Sequence, residues 1–113
     1  MDFTVNQGNG TAVVKTNVER LNASNASELK AELVLLNKSH VNNIVIDMSK
    51  TKYCDSSGLS AILVANRLCK DTNGQFVLAG LMPNVQKLIE IAQLDKVLTI
   101  TASEKEALAI IEK

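Results

Sequence analysis

Ile44-Val45-Ile46 is the stretch that most narrows what this chain can fold into. Three β-branched residues follow one another without a polar break and stop at Asp47. A strand with one wet face alternates apolar and polar residues, so an unbroken run marks a strand buried on both faces, in a sheet covered by helices. Phe76-Val77-Leu78-Ala79 reads as a second such strand. Between the two runs lies DSSGLSAILVANRLCK, residues 55–70, whose apolar positions recur at helical spacing, and Asn73-Gly74 closes that helix. Strand, helix and strand with doubly buried strands predict parallel pairing under helical cover.

The flanks extend the pattern. Phe3 and Val5 alternate with polar residues, Gly8-Asn9-Gly10 signals a turn, and Ala12-Val13-Val14 makes a second strand, so the chain opens with a hairpin. Ser24 and Asn25 are good helix caps, and Glu28 stands three residues after Asn25, as a capping box requires. Ala26, Leu29, Leu33 and Leu36 then share one helical face. Pro83 suits a first helical position, with Val85, Leu88, Ile89 and Ala92 as the stripe behind it. Val97–Ile100 reads as a short strand, and Ser103 with Glu106 forms a capping box before Ala107, Leu108 and Ile111. The order is β-β-α-β-α-β-α-β-α, an α/β fold with a mixed, mostly parallel sheet. At 113 residues and 46% hydrophobic content, residues 1–113 are expected to form a single domain with its own core.

Several functions are disfavoured by what the chain carries. Twelve basic and twelve acidic residues cancel, and only three aromatic residues are present, so neither nucleic acid nor an anionic membrane is an expected partner. The apolar stretch around Ala61-Ile62-Leu63-Val64 falls far short of the roughly 20 residues that span a bilayer, and the start MDFTVNQGNG has no signal-peptide pattern. A cytoplasmic location without membrane insertion is the default expectation. Cys54 and Cys69 stand outside any CxxC arrangement and His40 is the sole histidine, too few soft ligands for a zinc site. Both cysteines read as small, reduced, mostly buried side chains.

The candidate site is DSSGLS, Asp55 to Ser60, at the carboxyl end of a central strand where α/β sheets place their ligands. The segment from Met48 to Asp55 reads as the loop that delivers it. Four readings compete. Asp55 or Ser56 caps the helix. A serine is a nucleophile, although Gly58-Leu59-Ser60-Ala61 lacks the second glycine of the nucleophile elbow and His40 lies toward the other end of the sheet. The helix start binds an anion, although neither glycine-rich phosphate motif is present. Or Ser56 or Ser57 is phosphorylated, with the phosphate oxygens accepting first-turn N–H groups and a docked partner meeting new charge.

The run Ile44-Val45-Ile46-Asp47-Met48-Ser49 followed by Tyr53-Cys54-Asp55-Ser56-Ser57-Gly58-Leu59 resembles the signature of STAS domains, the bacterial anti-sigma factor antagonists and their relatives. The likeness continues through Gly74-Gln75-Phe76-Val77-Leu78, Pro83 to Leu88, Leu94, and Leu98-Thr99-Ile100. It implies the STAS fold and a protein that is not an enzyme but a kinase substrate. The implied partners are an anti-sigma factor that is also a serine kinase, and a cognate phosphatase. Carried over by position, the phosphoacceptor is Ser56, Ser57 opens the helix, and docking uses Lys52, Tyr53, Cys54, Asp55, Ser57, Gly58, Leu59 and the exposed face of the helix. No cofactor is implied. Many relatives carry a glycine and an acid where this chain has Glu19 and Asn22 in Glu19-Arg20-Leu21-Asn22, which leaves room for a different partner at Asn22. Two alternatives remain open. One is a non-switching STAS interaction subunit of an ABC-type lipid-transport complex, the other a small enzyme or nucleotide-binding module of flavodoxin-like shape.

Overall fold

The computed structural model describes residues 2–112. In chain order the elements are β1 (Phe3–Gly8), β2 (Thr11–Thr16), β3 (Arg20–Leu21), α1 (Ala26–Lys38), β4 (Asn43–Asp47), β5 (Tyr53–Cys54), α2 (Ser56–Asp71), β6 (Phe76–Ala79), α3 (Pro83–Ile91), a 3-10 turn (Leu94–Lys96), β7 (Thr99–Thr101) and α4 (Glu104–Ile111). Five strands form one sheet in the order β1-β2-β4-β6-β7, antiparallel between β1 and β2 and parallel elsewhere. The Ile44-Val45-Ile46 run is therefore the middle strand, as its composition predicts.

Both faces of β4 are sealed, and its pleat splits the core in two. Ile44 and Ile46 pack with Ala12, Val14 and Leu78 under α1, α2 and α3, while Val45 joins Val13, Val77 and Ala79 under Ala107 of α4. Each of the three β4 side chains is fully buried, which contributes about 1.5–3 kcal/mol apiece. Ala26, Leu29, Leu33 and Leu36 of α1 are buried together, as their spacing predicts. The opening hairpin turns on two residues, Asn9 at φ 54 and Gly10 at φ 76, the left-handed pair that a tight hairpin needs.

Four details differ from the sequence reading. Asn25 caps α1 by position but not with its side chain: its Oδ1 accepts from the Asn22 N–H and its Nδ2 donates to the Arg20 carbonyl, so the Asn25–Glu28 capping box does not form. The α3 stripe is narrower than predicted, with Val85 and Ile89 buried, Leu88 half-buried, and Ala92 exposed at the C-cap. The last strand starts at Thr99 rather than Val97. Gln93 in the left-handed region diverts the chain into a 3-10 turn that leaves Val97 outside the ladder, and pairing with Val77 begins only at Thr99. Finally, Met48–Asp55 is not a plain loop, because Tyr53-Cys54 pairs in parallel with Arg20-Leu21 as a second, two-stranded sheet.

The predicted Ser103–Glu106 cap is present on one side and shifted on the other. Ser103 Oγ accepts from the Glu106 N–H at 3.2 Å, and Glu106 Oε2 accepts from the Ala102 N–H at 3.1 Å rather than from Ser103. No helix among the described residues is long and apolar enough to cross a membrane.

Candidate functional site

The site rests on two buried threonines. Thr51 Oγ1 lies 2.8 Å from the Val18 carbonyl and 2.7 Å from Thr16 Oγ1. A hydroxyl has one proton to give. Thr51 donates to Val18, so Thr16 donates to Thr51. This clasp ties the segment after β4 to the segment after β2. The Lys52 and Tyr53 N–H groups then both donate to the Glu19 carbonyl, and the Asp55 N–H donates to the Leu21 carbonyl, which carries the β3–β5 pairing up to the start of α2. The loop is thus held by backbone bonds on both sides, and the helix start is delivered in one orientation.

Asp55 is the N-cap of α2. Its Oδ1 accepts from the Ser57 N–H at 2.9 Å and the Gly58 N–H at 3.2 Å, and its carbonyl accepts from the Leu59 N–H. Ser56, not Ser57, is the first helical residue. Ser56 is exposed, and its hydroxyl has no hydrogen-bond partner among the described residues. Because Asp55 already occupies the Ser57 and Gly58 N–H groups, a phosphate on Ser56 would not take them, as the sequence reading expected. It would stand beside the Asp55 carboxylate.

The other expected contact residues divide into two sets. Lys52 and Tyr53 are exposed, and the Arg20 guanidinium stacks over the Tyr53 ring at 4.4 Å. Arg20 and Tyr53, with Leu21, Asn22, Cys54 and Asp55, line a shallow cleft at the loop. Asn22 is half-buried and occupied locally, its Oδ1 accepting from the Ser24 N–H and hydroxyl. Leu59 is half-buried and lines an apolar groove with Leu63, Val64 and Leu94, in which Ser56 and Arg67 also take part.

Gly58 does not face outward. A Cβ there would lie 2.5 Å from Cys54 Sγ and 2.9 Å from the Leu21 carbonyl, so only glycine lets α2 rest against the β3–β5 pair. The structure gives it a packing role between α2 and the β3–β5 pair. Cys54 is half-buried, and burial, with the Asp55 carboxylate second, pushes its thiol up to about 12. Burial pushes the Cys69 thiol up to about 11. Neither is a reactive thiolate near neutral pH.

Nucleophilic catalysis finds no support in this arrangement. Asp55 is committed to capping, and His40 lies in the turn before β4, at the end of the sheet opposite Ser56. No cluster of metal-ligating side chains occurs among the described residues. Sequence reasoning missed Arg20, the Thr16–Thr51 clasp, and Ser27 and Lys30 of α1, which share a polar cleft with Ser56, Ser57 and Ser60. Arg20 lies in the Glu19-Arg20-Leu21-Asn22 stretch that the sequence already sets apart. The others are brought in by tertiary pairing alone.

Comparison with known proteins agrees with this geometry. The STAS domain family model matches residues 3–107. BtrV of Bordetella bronchiseptica, provisionally named an anti-sigma factor antagonist, is 28% identical over 89 residues, covering 79% of this chain and 77% of that one. The anti-sigma F factor antagonist of Paenibacillus polymyxa is 30% identical over 70 residues, covering 62% of this chain and 60% of that one. The solved structure of the anti-sigma factor antagonist SpoIIAA in its unphosphorylated form superimposes with a TM-score of 0.84 at 20% identity, over 97% of this chain and 96% of that one. A structure of the phosphorylated form of SpoIIAA from Bacillus gives 0.76 at 20% identity, over 96% and 98% of the two chains. At that identity the likeness is one of fold.

Proposed function

The chain belongs to the STAS domain family, and from that premise we propose that it is an anti-sigma factor antagonist switched off by phosphorylation at Ser56. Residues 1–113 act as one STAS domain in the cytoplasm. They bind an anti-sigma factor that is also a serine kinase, and a cognate phosphatase resets the protein. The chain itself is a substrate, not an enzyme. The kinase transfers the γ-phosphoryl group of ATP to Ser56 Oγ, the hydroxyl proton leaves, and ADP departs.

The observation that carries this reading is the unpartnered, exposed Ser56 hydroxyl on a helix start whose cap is supplied by Asp55 rather than by the serine. The serine is therefore spare for folding. Adding about −1.5 to −2 charge there leaves the cap hydrogen bonds in place and changes only what a docked protein meets. The α2 face that carries Leu59 and Leu63 borders the serine, so a partner on that surface would sit against the phosphate.

The test uses the serine kinase anti-sigma factor from the same cell. Incubation with ATP is expected to place one phosphate on Ser56, read by peptide mass spectrometry, with none on Ser56→Ala. Ser56→Asp is expected to bind that partner more weakly than Ser56→Ala. A phosphate elsewhere, or equal binding by the two variants, overturns the switch. Recovery of an unphosphorylated chain with the ATPase of a lipid transporter would support the non-switching subunit instead.

A further inference from the structure

Ser56 borders two depressions of opposite character. On one side is the apolar groove of Leu59, Leu63 and Leu94. On the other is a polar cleft between the first turns of α1 and α2, lined by Ser27 and Lys30 from α1 and by Ser56, Ser57 and Ser60 from α2. Lys30 is half-buried and makes no ion pair or hydrogen bond among the described residues. No carboxylate lines this cleft. The parallel pairing of β3 with β5 is what sets the two helix starts side by side.

We infer that Lys30 is the internal counter-ion for a phosphate carried on Ser56, holding it over the cleft between α1 and α2. This rests on the function proposed above. The charged groups that face Ser56 are few. Asp55 precedes it and opposes a second negative charge. Lys30 faces it from α1. Arg67 borders the apolar groove, but eleven residues further along α2 is about 16 Å of helix, beyond the reach of one side chain. Neither Ala92 nor Leu94, which approach from behind α3, carries charge. The ammonium of Lys30 is thus the group placed to offset the repulsion that Asp55 creates. A phosphate drawn toward α1 fills the cleft and leaves the apolar groove open, so the modified protein differs from the unmodified one on one side of Ser56 more than on the other.

The experiment installs phosphoserine at position 56 genetically, so no kinase is needed, and follows the second ionisation of the phosphate by 31P NMR across pH 4 to 9. An ammonium beside a phosphate favours the dianion, so Lys30→Gln is expected to raise that pKa by about half a unit, and Lys30→Arg to leave it low. Added salt is expected to shrink the difference between the native protein and Lys30→Gln. Lys38→Gln, in the last turn of α1, is the control and is expected to change nothing. An unchanged titration in Lys30→Gln overturns the inference. A kinase that fails to modify Ser56 would overturn the proposed function instead, and the NMR result would still be read in its own right.

Discussion

Thr16 and Thr51 meet hydroxyl to hydroxyl at 2.7 Å, and both side chains are sealed from solvent. Thirty-five residues separate them in the chain. Their clasp fastens the approach to α2, which fixes where Ser56 emerges. Thr51→Val keeps the shape and removes the hydroxyl, leaving the Val18 carbonyl without its donor. The expected cost is about 1–3 kcal/mol, since a buried group deprived of its partner loses its full solvation. Urea unfolding measures it. Thr51→Ser should lose less, because it keeps the hydroxyl.

Gly58 sets a second expectation. Alanine is worth about 1 kcal/mol over glycine inside an exposed helix. Here its methyl would be driven against Cys54 Sγ and the Leu21 carbonyl. Sulfur can swing aside, but a backbone oxygen in a paired strand cannot. Gly58→Ala is therefore expected to destabilise by about 1–3 kcal/mol despite the better helix former. Adding Cys54→Ala should recover part of that loss, and a double-mutant cycle in denaturant shows whether it does.

The cap gives a third. Asp55→Ala strips the acceptor from two first-turn N–H groups, and a loss of about 1 kcal/mol is expected. Asp55→Asn keeps an amide oxygen in the same place and should lose less. Ser56→Ala, in contrast, removes a hydroxyl with no partner and is expected to leave the unfolding midpoint unchanged. Thermal unfolding of the three variants checks the order, and a Ser56→Ala loss as large as that of Asp55→Ala would contradict it.

Alkaline pH gives the fourth. Both thiols ionise in the unfolded chain near their ordinary value of about 9, and in the folded chain only near 12 for Cys54 and 11 for Cys69. Below pH 9 both states hold their protons and the contribution to stability is complete. Between pH 9 and 11 the unfolded state holds fewer protons, so stability falls as pH rises. The urea midpoint is expected to drop across that window, and more gently in Cys54→Ala/Cys69→Ala, whose absolute stability is lower but whose slope is the informative quantity. Native-state alkylation at pH 8 should be slow at both thiols.

Much of this architecture can be read from residues whose neighbours in sequence are also their neighbours in effect. Ile44 to Ile46 announce a buried strand because three adjacent side chains must all leave water. Asn9-Gly10 announces a turn because its backbone demand is local. Val97 misleads because its β-branch looks the same whether the chain pairs there or two residues later, and the ladder with Val77 decides. The β3–β5 pair escapes for a similar reason: two residues each carry no period, and their pairing depends on a crossover of more than thirty residues. At the site, Asp55 and Ser56 stand out through capping chemistry. Lys30 and Ser27 do not, because nothing in α1 records which helix will lie beside it.

The hairpin turn at Asn9-Gly10 offers a practical handle. It precedes β2, whose Thr11 pairs with Asn43 at the start of β4, whereas Ser56 follows the end of β4. Five strand residues, about 17 Å, separate the two ends. A fluorophore or surface tether attached at Asn9 would leave every face around Ser56 clear, so the molecule can be immobilised for binding kinetics in an orientation that presents the serine to solution.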